Sequence, residues 1–178
     1  MWARLESNTI KEILRRPKAL TIGGAQYPSN IFSMWSNSEL ATIGIVPVTM
    51  DNTNYKDQDY YINTNITYTY DTETGKATGA YGTATALNLA DLKSEHKNNI
   101  NRHAGNILSE TDWYSIRAAD GGTAVPSNIS TYRTSVRTKA NAMCTQIDAA
   151  SDVDALAALY VYNDDTPPVR PLGEFPTL

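Results

Sequence analysis

The chain has 178 residues, a formal net charge of -4 and one cysteine. This length suffices for one domain or two small ones with a buried core, so no metal or disulfide is needed for folding. Charged residues make up 19% of the chain and form no basic block, which argues against a nucleic-acid partner, because phosphates require clustered Lys and Arg. No run of eighteen apolar residues occurs, so we expect no membrane-spanning helix.

The only cysteine, Cys144, lies beside Met143 in a helical pattern. It allows no internal disulfide, and we interpret it as a structural thiol rather than a nucleophile. The first residues turn polar soon after Trp2, without the apolar core of a signal peptide. We therefore expect the protein to be made in a cytoplasm and either kept there or carried in a particle assembled there.

The first 20 residues predict an N-terminal helical arm. Ile10, Ile13 and Leu14 stand at helical spacing, and Pro17 ends the pattern. Residues 21–86 predict a β-rich region, in which the apolar stretch 43–48 forms a short strand that ends at Pro47.

Residues 60–86 predict a β-hairpin, because apolar and polar residues alternate up to a turn at 73–76. Most of the eleven tyrosines precede residue 82, and tyrosine suits interfaces that are partly packed and partly wet. The alternative is that Tyr and Thr simply favour strands. The tyrosines that we name as interaction candidates are Tyr60, Tyr61, Tyr68 and Tyr70.

Residues 87–162 predict a helical module. Apolar residues recur every three or four positions over 89–108 and again over 128–147, and glycine and proline separate the two runs. We expect an antiparallel helical hairpin, followed by a short third helix at 152–160. We call residues 108–113, where the chain leaves the first helix, the elbow. Trp113 of the elbow is expected to cover the end of the hairpin, so that truncating this side chain would lower the free energy of unfolding by ~3 kcal/mol or more.

Residues 163–178 contain four prolines and predict an extended tail held against a surface. The expected fold class is therefore α+β, with a β-rich region before the helical hairpin. The apolar faces of the two helices also contain His, Tyr and Ala. Two interpretations of these faces therefore stay open: they form the core of a monomer, or they form an interface between copies of the chain. Since the β-rich region is too small to cover both helices, we expect a homo-oligomer or a multi-copy assembly.

No residue pattern indicates a reaction, a cofactor or a metal site. His96 and His103 share a helix face but lie ~10 Å apart, too far to bind one zinc ion without other ligands. Glu110 and Asp112 lie on one exposed elbow, whereas acid-base catalysis needs two carboxylates across a cleft. The glycine pairs at 23–24 and 121–122 lack the context of a phosphate-binding loop.

The elbow and the second helical run carry a family resemblance. Leu108-Ser109-Glu110-Thr111-Asp112-Trp113, followed after a spacer by Tyr132-Arg133-Thr134-Ser135-Val136-Arg137, resembles an L-x-x-T-D-W … Y-R-x-x-L-R helical module near the C-terminus of many bacteriophage tail proteins. These include tail-fibre assembly proteins and structural components of tails and fibres. The stretch from Tyr27 to Ile45 resembles the small β-rich region that precedes this module. Phe175-Pro176 stands where several members have Trp-Pro.

The resemblance implies a non-enzymatic structural or accessory protein of the phage particle, in the tail, baseplate or fibre region. The alternative is a tail-fibre assembly chaperone. A hydrolase of host glycans is a third hypothesis, which would require separated carboxylates. The implied partners are other phage structural proteins, and the implied location is the virion. The interaction candidates in this part of the chain are Trp113, Tyr132, Arg133, Arg137 and Phe175.

Overall fold

A computed structural model describes residues 1–178, which form two compact units, Met1–Thr85 and Ala86–Leu178. The first unit is built mainly of strands and the second of helices, so the expected α+β class is confirmed. None of the helices combines the length and the apolar character required to cross a bilayer.

The first unit contains eight strands, two short helices and the start of a ninth strand. In chain order they are β1 (Trp2–Glu6), β2 (Thr9–Leu14), β3 (Leu20–Ile22), β4 (Ala25–Tyr27), α1 (Ile31–Met34), α2 (Asn37–Thr42), β5 (Ile45–Asp51), β6 (Tyr61–Ile62), β7 (Ile66–Asp71), β8 (Lys76–Tyr81) and β9 (Thr85–Ala86).

The predicted helical arm over residues 1–20 is wrong, since β1 and β2 form an antiparallel hairpin there. Ser7 and Asn8 occupy its two-residue turn with φ angles of 49° and 60°, the left-handed conformation that such turns require. The spacing of Ile10 and Ile13 fits a helix, but both side chains pack from β2 against the core beneath the sheet. Pairing with β1 therefore overrides the helical spacing.

The main sheet has five strands in the order β2-β1-β5-β8-β7 and curves into a half-barrel. β5 is central, antiparallel to β1 and parallel to β8. It continues to Asp51, so the prediction that Pro47 stops it is wrong. Pro47 lies opposite Trp2, one residue before pairing with β8 begins at Val48, and its missing N–H thus interrupts no ladder.

Two hydrophobic clusters lie on opposite faces of this sheet, because successive side chains of a strand point to opposite sides. Ile45 of β5 belongs to one cluster, and its neighbour Val46 belongs to the other. The first cluster collects Leu14, Leu20, Ile31 and Leu40 under α1, α2 and the β3-β4 hairpin. A capping box between Ser36 and Glu39 starts α2.

The predicted hairpin over 60–86 is confirmed, with shorter strands. β7 and β8 pair antiparallel around a turn that ends at Gly75. Tyr68 lies directly opposite Gly79, and its ring covers the space that a side chain at Gly79 would fill. The small residues Ala77 and Gly79 of β8 are therefore covered by Tyr70 and Tyr68 of β7.

Changing Gly79 to alanine is expected to destabilise the first unit by about 1–3 kcal/mol, the usual cost of overpacking. A Cβ there would lie 2.8 Å from the Tyr68 ring and 3.0 Å from the Met50 sulfur. Native-state hydrogen exchange of β5 and β8 amides measures the effect. The control is Thr69→Ala, an exposed site on β7. Equal exchange in the two variants would contradict the tight packing.

The second unit consists of four helices and an extended tail. The helices are α3 (Leu89–Ser109), α4 (Asp112–Ala119), α5 (Ser127–Ala149) and α6 (Val153–Ala158). α3 and α5 are the long pair that the periodicity predicts, and α6 is the predicted third helix. α4, at the elbow, was not predicted. The core of the unit is formed by Leu92, Ile100, Ala104, Ile129, Val136, Ala140, Met143, Ile147, Val153, Leu156 and Leu172.

The tail has no regular structure and lies against the helices of its own unit. Leu172 is completely buried, and its backbone N–H donates to the carbonyl of Leu159. Gln146 of α5 donates to the carbonyl of Pro171 at 3.1 Å. The Tyr162 hydroxyl donates to Glu174 at 2.6 Å and holds the pKa of that carboxyl below its usual value. The extended tail is thus confirmed, and its surface is supplied within the chain.

Candidate interaction site

A buried arginine joins the elbow to the second long helix. Arg133 of α5 is 8% exposed. Its guanidinium donates to the carbonyl oxygen of Leu108 at 2.8 Å, to the hydroxyl of Thr111 at 2.7 Å and to the carboxylate of Asp112 at 2.7 Å. A buried charge is tolerated only when paired and hydrogen-bonded, and these three acceptors meet that requirement.

Thr111 completes the network. Its hydroxyl donates to the Leu108 carbonyl at 3.0 Å while it accepts from Arg133. It therefore provides no N-terminal cap for α4. Asp112 begins that helix, where a negative charge is favourable near the helix dipole. We call Leu108, Thr111, Asp112 and Arg133 the elbow network, which fixes the start of α4 against α5.

The helix that follows this network has no buried residue. Trp113 is 50% exposed and Ile116 is 61% exposed. The expectation that Trp113 covers the end of the hairpin is therefore wrong. Its ring instead stacks on the neighbouring Tyr114, with centroids 3.8 Å apart. The elbow network holds the start of α4, and Trp113 and Ile116 face solvent.

Arg117 lies beside the two rings. Its guanidinium carbon is 5.0 Å from the Trp113 centroid and 5.4 Å from that of Tyr114, within range of a cation-π interaction. The Nε atom is buried and has no hydrogen-bond partner. The loop after α4 folds back here, so that a side chain at Gly122 would meet the Arg117 carbonyl at 2.8 Å. We call Trp113, Tyr114, Ile116 and Arg117 the elbow surface.

No family model, curated protein or solved structure matches the chain. The description of the candidate site therefore depends on the residues and contacts of this chain alone.

The other candidates in the second unit lie outside the elbow surface. Tyr132 is half-buried and lines an open cavity of about 500 Å³ between the start of α5 and the tail residues 176–178. Arg137 is exposed. Phe175 packs edge-on against His103, with centroids 5.0 Å apart. Phe175 thus holds the tail to α3.

The tyrosine candidates belong to the first unit and are all half-buried. Tyr70 packs against the cluster of Ala3, Val46 and Ala77. Tyr68 covers Gly79. Tyr68 and Tyr70 therefore have packing roles within the sheet.

The other two tyrosine candidates precede β7. Burial, reinforced by the nearby charges of Asp57 and Asp59, raises the pKa of Tyr60. Lys56 lies over the ring of Tyr61, 5.4 Å from its centroid.

The two histidines contact aromatic side chains, and the cysteine is half-buried. His96 is hydrogen-bonded to Tyr160 at 2.7 Å. Burial raises the pKa of the half-buried Cys144 thiol, which disfavours the reactive thiolate. No group of three or more His, Cys, Asp or Glu residues is arranged to hold a metal ion.

Sequence reasoning missed Ile116 and Arg117, because α4 was not expected. Their signal was present in the spacing 113, 116 and 117, which places three side chains on one face of a helix. Arg133, by contrast, was chosen as an interaction residue, and the structure places it inside the unit, where it positions α4.

Changing Trp113 to alanine is expected to lower the stability of the second unit by less than about 1 kcal/mol, because the side chain is half exposed. Hydrogen exchange of the α3 and α5 amides measures this unit separately. Met143→Ala, at a fully buried position of α5, is the contrasting variant and should cost about 2–5 kcal/mol. If both variants lost a similar amount of stability, Trp113 would after all cover the end of the helical hairpin.

Proposed function

We propose that this chain is a non-enzymatic structural or accessory protein of a bacteriophage particle, in the tail, baseplate or fibre region, that acts through protein-protein contacts. The observation that carries the proposal is the elbow network. Four residues of the phage-tail signature, separated by up to 25 positions, meet in one set of hydrogen bonds. This supports reading the signature as one physical module rather than a chance string.

The surface beside that network supports a binding role. Tryptophan, tyrosine and arginine are enriched at the energetically important positions of protein interfaces. Three such residues occur together in the elbow surface, next to the exposed Ile116. The network holds α4 in place, so partner binding would cost little conformational entropy.

The arrangement of the carboxylates favours binding over hydrolysis. Asp112 is engaged by Arg133 at 2.7 Å, so Glu110 and Asp112 do not form a free acid-base pair. If a Glu110→Gln or Asp112→Asn variant abolished a glycan cleavage activity of the purified chain, the non-enzymatic assignment would be overturned.

A tail-fibre assembly chaperone is the second candidate, and one observation favours it. Each unit has its own buried core, which includes the tail residue Leu172 in the second unit. A chain that folds in this way is suited to exist free of the particle, as a transient chaperone must.

The composition of purified particles tests the proposal. In particles of the virus that encodes the chain, quantitative mass spectrometry should find it at a fixed copy number relative to the other structural proteins. Its absence, together with misassembled fibres when its gene is deleted, would select the chaperone. Its absence, with normal fibres and infectivity after deletion, would overturn both.

A further inference from the structure

The elbow surface contains a cation without a counter-charge. Three arginines of the second unit are at least partly buried: Arg117, Arg133 and Arg170. Arg133 is paired with Asp112 at 2.7 Å, and Arg170 with Glu174 at 2.7 Å. Arg117 makes no ion pair, and its buried Nε has no hydrogen-bond partner. The buried Nε is closed to a ligand, but a partly desolvated guanidinium without an ion pair gains from a carboxylate at its terminal N–H groups.

The adjacent aromatic rings do not supply the missing acceptor. A ring face attracts the charge of a guanidinium, but the N–H donors lie in the guanidinium plane and match the two oxygens of a carboxylate. Trp113 and Tyr114 therefore lie against Arg117 without giving it a hydrogen-bond acceptor.

Apolar surface lies beside this cation. Trp113, Ile116 and Arg117 stand at positions i, i+3 and i+4 of α4, which puts them on one helix face. Trp113 is 50% exposed and Ile116 is 61% exposed. The ligand that matches this face carries one carboxylate next to one apolar side chain.

The surroundings select a protein over a phosphate-rich or sugar ligand. Glu110, Asp112 and Asp120 flank α4 in sequence, and this negative charge disfavours a ligand with many phosphates far more than a segment with a single carboxylate. The stacking of Trp113 on Tyr114 occupies one ring face that a flat sugar would use. An exposed isoleucine beside the rings fits the apolar centre of a protein interface.

We propose that the elbow surface binds a segment of a partner protein in which an Asp or Glu neighbours an apolar residue. The carboxylate pairs with Arg117, and the apolar side chain packs between Trp113 and Ile116. This inference rests on the proposed function, since it names the partner chemistry of the same surface.

A pair of matched peptides tests it. The full chain, isotopically labelled, is titrated with acetyl-Gly-Leu-Asp-Leu-Gly-amide and with the version in which Asn replaces Asp. The signals followed by NMR are the Trp113 indole N–H and the Ile116 methyls. We expect both to shift with the Asp peptide at a dissociation constant of about 1 mM, and the Asn peptide to bind about fivefold more weakly, as for a partly exposed ion pair.

Arg117→Gln should remove the preference for the Asp peptide, and Arg137→Gln, at an exposed arginine of α5, should retain it. Ile116→Ser, which leaves the cation in place, should weaken both peptides while keeping their ratio. Equal affinity of the two peptides for the unaltered chain, or shifts confined to other residues, would overturn the proposal. So would concentration-dependent shifts of Trp113 without peptide, which would make a second copy the occupant. The titration needs no virus, so absence from particles would refute the proposed function and leave this result standing.

Discussion

Changing Arg133 to methionine is expected to lower the free energy of unfolding of the second unit by about 2–4 kcal/mol, because it removes three hydrogen bonds of a buried guanidinium, one of them to a carboxylate. The Leu108 carbonyl and the Thr111 hydroxyl each lose a donor. The loss falls short of that for a fully buried ion pair, because the side chain of Asp112 is 53% exposed and keeps its access to water.

The matched control is Arg137→Met, one helical turn further along α5 at an exposed position. Its effect should stay within about 0.5 kcal/mol. Hydrogen exchange of the α3 and α5 amides provides the measurement. If the two variants lost the same stability, the elbow network would contribute nothing to the fold. Asp112→Asn should produce part of the Arg133→Met loss, and the double variant should lose less than the sum of the two.

Changing Leu172 to alanine is expected to destabilise the second unit by about 2–5 kcal/mol, the cost of truncating a completely buried leucine. Leu172 has no exposed surface although it lies in a segment without helix or strand. The amide of Leu172, bonded to the Leu159 carbonyl, should exchange faster in the variant.

Val169→Ala is the control in the same tail, since Val169 is exposed. It should leave the exchange of the helices unchanged. If Leu172→Ala accelerated exchange in the tail alone, the tail would be a separable attachment, and its place in the helical core would be refuted.

The helical hairpin was predictable because its signal is long and regular. Ile100 on one helix and Val136, Met143 and Ile147 on the other recur at helical spacing over many turns, and all four are buried. The start of the chain was not predictable in the same way. Ile10 and Ile13 stand at helical spacing, and only the shift in register between Arg4 and Leu5 of β1 allows both to pack on one cluster from a strand. The turn at Ser7 and Asn8 also lacks the glycine that usually marks a tight hairpin.

The elbow was only half predictable. The sequence singled out Thr111, Asp112 and Arg133 as one signature, but it could not show that Arg133 is inside, since its acceptors come from residues 21 to 25 positions away. Trp113 was expected to be buried because large aromatics usually are, and its exposure depends on how α4 leaves the network. Both outcomes depend on tertiary contacts, which periodicity does not encode.

The burial of Leu172 has a consequence for how the second unit forms. The contact between α3 and α5 requires closing one connection, whereas Leu172 reaches its place only after α6 and the proline-rich stretch have been laid down. The tail has no helix or strand of its own, and its partners are supplied by α5 and by the end of α6, so ordering it gains nothing until those helices are in place. Folding of this unit should therefore have two stages: the long helices pair first, and the tail then packs against them and buries Leu172. A shortened gene that ends after α6 would keep every helix and still yield an unfinished core.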